Sequence, residues 1–585
     1  MNFLSHVEIP ISSLLPTPYS PLPTPPYLYH MDNYYIADQF AMLSKLIDIH
    51  GENSFKSKSY SITAFNIEKL PVQLADLPPE KIFSLKGIGE STGKKILDII
   101  NTGTLPLLEN YISKTPPGVI EMLSIKGIGP KKIAVIWKEM EIESPGELLY
   151  ACNENRLSRY KGFGAKSQQS ISDAITFYLA SQGSHLFAGI EKYAYDLDKI
   201  FKKAFPKHNF ALTGQIRMHA LIVDRLEWVT TVPAEQLQDY FIKNKYTEEE
   251  LLTETSMFRT QENVLIKFYS RDEQLFYSTL FETSSSEAFL NEWNRVKADS
   301  SLHTSEEDIF EARKLHFIPP FLREKPGIIE EAKRNSFNHL VQPEDICAII
   351  HSHSTWSDGS HTIEEMAKAC IDSGYEYLVI SDHSKSAAYA NGLTEERIRE
   401  QHLYIDELNA KFAPFRIFKS VESDILGDGS LDYSDKVLST FDLVIASIHS
   451  NIKMQEDKAM LRLLNAINNP YTTILGHMTG RLLLSRPGYP VNYKTIIDAC
   501  ADKNVVIEIN ANPRRLDMDW SWVDYALQKG VLLSVDPDAH EIKEFDNCRY
   551  GVLAAQKGGL TKEKNLSSFS LKEFEAFLEG RKVTR

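Results

Sequence analysis

The sequence predicts a multidomain protein with an α-helical amino-terminal part, a mixed α/β middle and a carboxy-terminal (β/α) barrel. Three observations lead to this fold class: three Lys-Gly-hydrophobic-Gly phrases in the first third, short apolar runs across residues 181–295, and strand-like runs that end in polar residues from about residue 341 onward. A chain of 585 residues has room for about three or four domains. Its 43% hydrophobic and 24% charged residues are typical of folded domains and exclude wholesale disorder.

Residues 1–30 contain seven prolines and neither lysine nor arginine. A signal peptide needs a positive start and an unbroken apolar stretch, so this segment is not predicted to be one. Helix-like patterning begins only after Met31. Two interpretations stay open: a mis-called extension with Met31 as the true start, or a disordered tail.

Charge and cysteine usage limit the class of protein further. The net charge of −15 argues against a generally basic surface for nucleic acid and leaves room for a local patch. Five scattered cysteines form no CxxC pair, which indicates a reducing, cytoplasmic compartment. The apolar runs are far shorter than the roughly 18–20 residues that span a bilayer, so we expect no membrane partner.

The repeated phrases in the first third have the helix-hairpin-helix form. Glycines allow a tight turn with positive φ, and the following helix then points its amide groups at an anion. This geometry holds a phosphate backbone without reading bases, so the phrases predict contact with DNA. The alternative is plain helical turns of a bundle. The predicted DNA-binding residues are Gly87, Gly89, Gly127, Gly129, Lys131, Gly162 and Gly164.

The carboxy-terminal part repeats one pattern: a short apolar run, strand-like in length and β-branching, ends in His, Asp, Glu or Asn. A (β/α) barrel collects its active-site residues from the ends of many strands in this way. The predicted strands are Cys347–Ile350, Tyr377–Ile380, Ile417–Val421, Leu443–Ala446, Thr472–Leu475, Val505–Ile509 and Val531–Leu533.

The residue types after these strands indicate metal chemistry. Six histidines and several carboxylates, without cysteine, suit Zn, Mn or Fe rather than Mg alone. About nine ligands exceed one tetrahedral site and predict two or three metals, which can clamp a phosphate ester and activate water. Arg481 and Arg486 follow His477 and are predicted to bind phosphate oxygens. Any single histidine here could be an ordinary core or surface residue.

The same residues resemble the polymerase-and-histidinol-phosphatase (PHP) domain. The resemblance rests on His351-Ser352-His353, Ser357-Asp358-Gly359, Ser381-Asp382-His383, Glu422, His449, Gly476-His477 and Asp538-Ala539-His540. It implies a distorted (β/α)7 barrel with three divalent metal ions, Mn or Zn, and a catalytic set of His351, His353, Asp358 and Arg481. The implied metal ligands are His351, His353, Asp358, His383, Glu422, His449, His477, Asp538 and His540.

From Met31 onward the chain resembles the bacterial family X DNA polymerases. The resemblance divides it into a lyase-like helical domain (31–115), a fingers-like hairpin region (116–180), a nucleotidyltransferase-like palm and thumb (181–295), a linker that partly packs (296–340) and the PHP domain (341–585). It implies a manganese-dependent 3′–5′ exonuclease in DNA repair, with abasic-site cleavage in some members. Lys95 takes the place of the lyase lysine, although an ordinary phosphate contact is the alternative.

The palm departs from the family pattern. The expected Gly-Ser start reads Thr213-Gly214, the Asp-x-Asp region offers only Asp224 and Glu227, and the third Asp falls on Leu265. Residues three apart on a strand face opposite sides, so the two carboxylates should not hold magnesium together. We therefore expect polymerisation to be lost; a misalignment of this stretch is the alternative.

The sequence thus predicts a DNA-binding, metal-dependent phosphodiesterase that acts on gapped, single-stranded or damaged DNA, with a monomer as the default. Three alternatives stay open: a small-molecule phosphatase similar to histidinol phosphatase, a DNA-binding scaffold, and a still active gap-filling polymerase.

Overall fold

The computed structural model describes residues 33–582 except 69, 71, 86–87, 126, 181–182 and 296–302. The chain divides into two compact units, one up to Leu148 and one from Leu149 onward. The predicted extension over residues 1–30 lies outside the described residues. No helix among the described residues is long and apolar enough to cross a membrane.

The first unit is helical, as predicted. Ile36, Phe40, Leu43 and Leu46 repeat with helical spacing and are fully buried in its core. Its helices are Asn33–His50, Ser54–Glu68, Pro79–Ile82, Glu90–Thr102, Pro106–Ile112, Pro117–Glu121 and Pro130–Lys138, and the helix Pro145–Asn153 crosses the boundary between the units.

The hairpin turns have the backbone that their glycines suggest. Gly127 and Gly162 have φ values of 92° and 95°, in the region that favours glycine. Helices begin directly after Gly89, Gly129 and Gly164, at Glu90, Pro130 and Ala165. Gly87 lies outside the described residues.

The middle of the chain is built on a mixed five-stranded sheet. Its strands are β2 (Phe210–Thr213), β4 (Leu226–Thr230), β5 (Thr247–Leu251), β6 (Thr255–Arg259) and β7 (Leu265–Ser270), and β1 (His185–Leu186) pairs with β3 (Ile222–Val223) beside it. The order is β2-β4-β7-β6-β5, and only β4 and β7 run parallel. The helices of this part are Ala165–Ala180, Phe187–Ala204, Gly214–Arg217, Ala234–Lys243, Phe276–Thr283 and Glu287–Trp293.

The described part of the predicted linker, from residue 303 to 340, packs into a small core that it shares with Phe281, Phe289 and Trp293. Phe310, Ile318 and Leu322 are buried there, and the helices are Glu306–Glu311 and Ile328–Glu331. Arg323 is fully buried and donates to Glu306 Oε1 at 2.6 Å and to the Ile318 carbonyl. This paired buried charge ties the segment into the fold.

The carboxy-terminal part forms a nearly closed barrel of seven parallel strands, which confirms the predicted fold. The strands are β8 (Ala348–Ile349), β9 (Tyr377–Ile380), β10 (Arg416–Asp424), β11 (Leu443–Ser447), β12 (Ile474–Leu475), β13 (Val506–Asn510) and β14 (Leu533–Asp536). They lie in chain order, and a parallel bridge between Ser352 and Ala539 joins the segments after β8 and β14.

Helices connect and cover these strands. The first is opened by a capping box in which Thr362 and Glu365 satisfy each other's backbone amides. The helices are Ile363–Asp372, Glu395–Phe412, Asp435–Leu438, Glu456–Asn468, Tyr493–Lys503, Val523–Gln528, Cys548–Lys557 and Leu571–Lys582.

Candidate metal centre

The carboxyl ends of the barrel strands bring all nine predicted ligands to one place. Glu422 lies within β10, and the other eight follow strands β8, β9, β11, β12 and β14. Every one of the nine side chains is buried or nearly so. They are His351, His353, Asp358, His383, Glu422, His449, His477, Asp538 and His540.

Glu422 lies at the centre of the group. Its Oε1 is 3.1 Å from Nε2 of His449, 3.0 Å from Nε2 of His477 and 3.3 Å from Nε2 of His351. Its Oε2 is 2.9 Å from Nδ1 of His383. One carboxylate therefore faces four imidazoles, as a ligand shared between neighbouring cations would.

Eight of the nine ligands fall into three overlapping clusters whose donor atoms lie within 4.8 Å of one another. The clusters are His353, Asp358, His383 and His540; His351, His353 and Asp538; and His383, Glu422 and His449. His477 belongs to none of these clusters and contacts Glu422 instead.

The donor atoms fit divalent cations. His351 Nε2, His353 Nδ1 and His540 Nε2 are buried without a hydrogen-bond partner, and so is Oδ2 of Asp358. Buried polar atoms are seldom left without a hydrogen-bond partner. A cluster of several such imidazole and carboxylate atoms therefore needs a positively charged ligand. Imidazole and carboxylate together suit Zn, Mn or Fe.

Burial and neighbouring charges raise the pKa of two histidines in the centre and lower the pKa of a third. Burial acts to lower the pKa of His540, but Asp358 outweighs it and raises that pKa to about 10. Burial also acts to lower the pKa of His449, but Glu422 and Asp424 outweigh it and raise that pKa to about 9. Burial and the neighbouring His540 and His383 lower the pKa of His353 to about 4. Neighbouring carboxylates thus create a site that attracts positive charge.

A second layer of carboxylates orients the ligand histidines. Asp424 Oδ1 lies 2.8 Å from His449 Nδ1, and Glu508 Oε2 accepts from His351 Nδ1 at 2.5 Å. Asn510 donates to Asp538 Oδ2 at 3.0 Å. Sequence analysis missed Asp424 and Glu508 as functional residues. The sequence signal was the alternation of side chains along a strand. Each of these two residues lies two positions from a polar residue at a strand end, so both side chains point to the same face of the strand.

The loop after β8 is shaped by Asp382 and Gly359. Asp382 accepts from the amides of Ser354 and Ser357 at 2.8 and 3.2 Å and from Gln401 Nε2 at 2.7 Å. A Cβ on Gly359 would lie 2.1 Å from the His353 carbonyl oxygen, so only glycine fits there. The Ser-Asp-Gly phrase therefore serves the turn that carries His353 and Asp358.

Arg481, which is predicted to bind phosphate, is held by neighbouring protein groups. Its guanidinium donates to Asp519 and to the carbonyls of Arg515 and Leu516. Arg486 donates to the Gly480 carbonyl at 2.9 Å. Arg481 thus braces the loop after β12.

The two carboxylates of the palm region have separate hydrogen-bond partners. Glu227 is buried and accepts from Tyr269 Oη at 2.9 Å, with Arg225 Nε at 3.1 Å. Asp224 lies before β4 begins and accepts from Ser184 Oγ at 2.8 Å. Neither belongs to a cluster of three ligand-type residues in the part of the chain that the structure describes.

The strand register shows which residue of β7 lies beside Glu227. Lys267, not Leu265, is the partner of Glu227 across β4 and β7. Leu265 pairs with Arg259 on β6 instead. The position that faces Glu227 thus holds a positive charge.

The predicted DNA-contacting residues that the structure describes in the first unit are accessible. Space is open around the position of a Cβ on Gly89, Gly127 and Gly129, and Lys131 is exposed. Gly162 and Gly164 of the second unit are equally open. Lys95 donates to Ser91 Oγ at 2.9 Å and lines an open depression with Lys94 and Asp98.

Comparison with known proteins finds two family matches in the first third of the chain and relatives of two kinds. Residues 31–105 match the helix-hairpin-helix domain family, and residues 119–175 match the SAM-like helix-hairpin-helix tandem family. The chain is 33% identical over 564 residues to DNA polymerase/3′-5′ exonuclease PolX of Bacillus subtilis, covering 91% of this chain and 97% of that protein. It is 28% identical over 214 residues to a probable phosphatase of Caldanaerobacter subterraneus, covering 34% of this chain and 78% of the relative.

Proposed function

The chain belongs to the family X DNA polymerases that carry a PHP domain, and from this premise we propose that it degrades DNA from the 3′ end as a metal-dependent exonuclease. The observation that carries the proposal is the buried group of nine ligand-type residues at the carboxyl ends of the barrel strands. The same chain contains helix-hairpin-helix segments suited to a DNA backbone.

The residues of the centre divide the work. Divalent cations, with manganese proposed and zinc as the alternative, would polarise the scissile phosphate and supply a hydroxide at neutral pH. His351, His353, Asp358 and the other ligands, Glu422 among them, would hold these cations. Asp424 and Glu508 fix the ring orientation of His449 and His351.

The hairpins would deliver the DNA strand. Because the chain has a net charge of −15, DNA binding depends on local contacts in which backbone amides and lysines such as Lys131 bind phosphates. Gapped, single-stranded or damaged DNA is the proposed substrate class. The same centre would also cleave at abasic sites, and Lys95 would form a Schiff base. Both activities would extend the substrate class to damaged DNA ends.

We further propose that the palm no longer polymerises DNA. Glu227 is held by Tyr269 and Arg225, and Lys267 is its partner on the neighbouring strand. A two-metal site needs converging carboxylates, whereas this arrangement offers one carboxylate beside two cations.

A small-molecule phosphatase is the second candidate. The probable phosphatases among the relatives favour it, since they match about a third of this chain. It leaves the two helix-hairpin-helix segments without a role.

The test uses purified protein with manganese and a 5′-labelled primer on a gapped template, with and without nucleotides. A ladder of shortened products, unaffected by nucleotides and abolished by chelator and by His353→Ala, is expected. The matched control is His339→Ala, which changes an exposed histidine outside the metal clusters of the described chain.

Other outcomes would redirect the assignment. Longer products in the presence of nucleotides would contradict the loss of polymerisation. Unchanged DNA together with rapid hydrolysis of small phosphomonoesters would favour the phosphatase.

A further inference from the structure

The segment that joins the helix Pro145–Asn153 to the third hairpin is fastened to the mouth of the barrel. Asn155 Nδ2 donates to Ser360 Oγ at 3.0 Å, and Arg159 donates to the Ser357 carbonyl at 3.0 Å. Both contacts fall on the loop that presents Asp358. Residues far upstream of the barrel therefore form part of the wall around the metal centre.

A third contact reaches the other side of the centre. Tyr150 Oη accepts from Arg515 Nε at 2.9 Å, and Arg515 Nε lies 3.7 Å from Oδ2 of the ligand Asp538. The helix and the segment after it thus touch the surroundings of two ligands that follow the first and the last strand of the barrel.

Arg156 lies between these contacts, and its side chain makes no hydrogen bond to the part of the chain that the structure describes. Its guanidinium stacks over Tyr389, 4.3 Å from the ring centroid, and that ring lies 6.4 Å from the imidazole of His383. The nearest carboxylate, Glu154, is at 4.0 Å, which is too far for a hydrogen bond. Arg156 Nε is buried and unpartnered among the described residues.

An unsatisfied guanidinium beside a metal centre points to a missing anion. Arginine carries five donors in a planar fork that matches phosphate oxygens, and buried donors without partners are rare. The side chain is 24% exposed, so a ligand can still reach it. Stacking on Tyr389 fixes the plane of the fork. Arg481 offers the contrast, because its donors are already used by Asp519 and two carbonyls.

We propose that Arg156 binds the non-bridging oxygens of the scissile phosphate in the barrel's metal centre. The inference rests on the proposed nuclease function and adds a substrate-binding residue from outside the barrel. It follows that the isolated barrel sequence would lack this contact, and that the hairpin region completes the active site as well as binding DNA.

The experiment compares Arg156→Gln and Arg156→Lys with Arg399→Gln, an exposed arginine on the helix Glu395–Phe412, in the full-length manganese-loaded protein. Three readouts are taken: DNA digestion, hydrolysis of bis(p-nitrophenyl) phosphate, and affinity for inorganic phosphate by calorimetry. Losing a charge-assisted hydrogen bond to phosphate lowers all three by about ten- to a hundredfold in Arg156→Gln. Arg156→Lys recovers part of the loss, because it keeps the charge and loses the fork.

Metal content and thermal unfolding distinguish a binding role from a structural one. Manganese stoichiometry should stay unchanged in both variants, since Arg156 is not a ligand. If Arg156→Gln does not fold, the phosphate affinity of Arg156→Lys decides. Wild-type phosphate affinity in the variants, or loss of DNA digestion with the small diester unaffected, would overturn the proposal. If the wild type itself digests no DNA, the proposed nuclease function fails, and phosphate affinity still tests Arg156.

Discussion

Asp424 Oδ1 lies 2.8 Å from Nδ1 of His449, whose other nitrogen faces the carboxylate of Glu422 at 3.1 Å. Asp424 and Glu422 both belong to β10 and are two residues apart, so one strand supplies a ligand and the carboxylate that orients its neighbour. In this pairing Asp424 is the carboxylate that would orient His449 as a metal ligand.

Asp424→Asn should therefore weaken metal binding without removing a ligand. We expect affinity for manganese to fall by about 10–100-fold, because the imidazole loses the partner that fixes its tautomer and basicity. Calorimetric titration of the metal-depleted protein measures this. Asp428→Asn, on an exposed turn where the carboxylate contacts Ser430, is the matched control and should bind as the wild type. Equal affinity in both variants would contradict the role of Asp424.

Gly127→Ala should separate DNA binding from hydrolysis. An alanine at φ 92° is strained by about 1–2 kcal/mol, and the turn before the helix Pro130–Lys138 must shift. We expect DNA affinity, measured by fluorescence anisotropy, to fall about fivefold. Hydrolysis of bis(p-nitrophenyl) phosphate should stay unchanged.

Gly129→Ala is the control for backbone strain. Gly129 has φ −89°, which alanine adopts freely, and a Cβ there meets no atom within 4 Å. Its free energy of unfolding should match the wild type. A loss of diester hydrolysis in Gly127→Ala with folding preserved would contradict the proposed division of labour.

Glu227→Gln should destabilise the protein and leave exonuclease activity intact. The substitution weakens the ion pair with Arg225, although the new amide can still accept a hydrogen bond from the Tyr269 hydroxyl. Losing a buried charged hydrogen bond should lower the free energy of unfolding by about 1–3 kcal/mol. Urea unfolding and DNA digestion measure the two effects. Were Glu227 a magnesium ligand of a working palm, the wild type would extend a primer with nucleotides and the variant would not.

Sequence reasoning predicted the barrel and the polar residues that gather at its strand ends, because both carry a local signal. Each apolar run is short and β-branched, and its polar terminus marks the carboxyl end of a strand, as with Glu422 in β10. The capping box at Thr362 and the turn at Gly127 are equally local. Such features depend on neighbours in the chain and can be read without the fold.

The remaining features depend on distant contacts. Arg481 follows the ligand His477 closely in sequence, yet its guanidinium turns to Asp519. Arg156 lies about two hundred residues before the first ligand, and only tertiary packing brings it onto Tyr389. The spacing of Glu508 from Asn510 indicates a shared strand face, but only the fold shows that Glu508 accepts from His351. The register that sets Lys267 beside Glu227 also required the folded sheet.

His219 should make the folded state sensitive to acid. Its ring stacks on Phe321 with centroids 4.9 Å apart, and its Nδ1 is buried without a partner. Burial, followed by Lys557 and Arg549, lowers the pKa of His219 from 6.5 to about 3. Below pH 6.5 the imidazole of His219 therefore binds a proton in the unfolded chain but stays neutral in the folded chain. The stability that this neutral imidazole contributes is fully present above pH 6.5 and is lost progressively as the pH falls toward 3.

At pH 5 the linkage amounts to about 2 kcal/mol. Urea unfolding of the wild type and of His219→Asn at pH 7.5 and pH 5 measures it. Asparagine tolerates the positive φ of 50° at this position and does not titrate, so the variant isolates the proton from the backbone. The wild type should lose about 2 kcal/mol more than the variant between the two pH values. Equal losses would mean that His219 is protonated in the folded state, and acid sensitivity would then belong to the carboxylates of the metal centre.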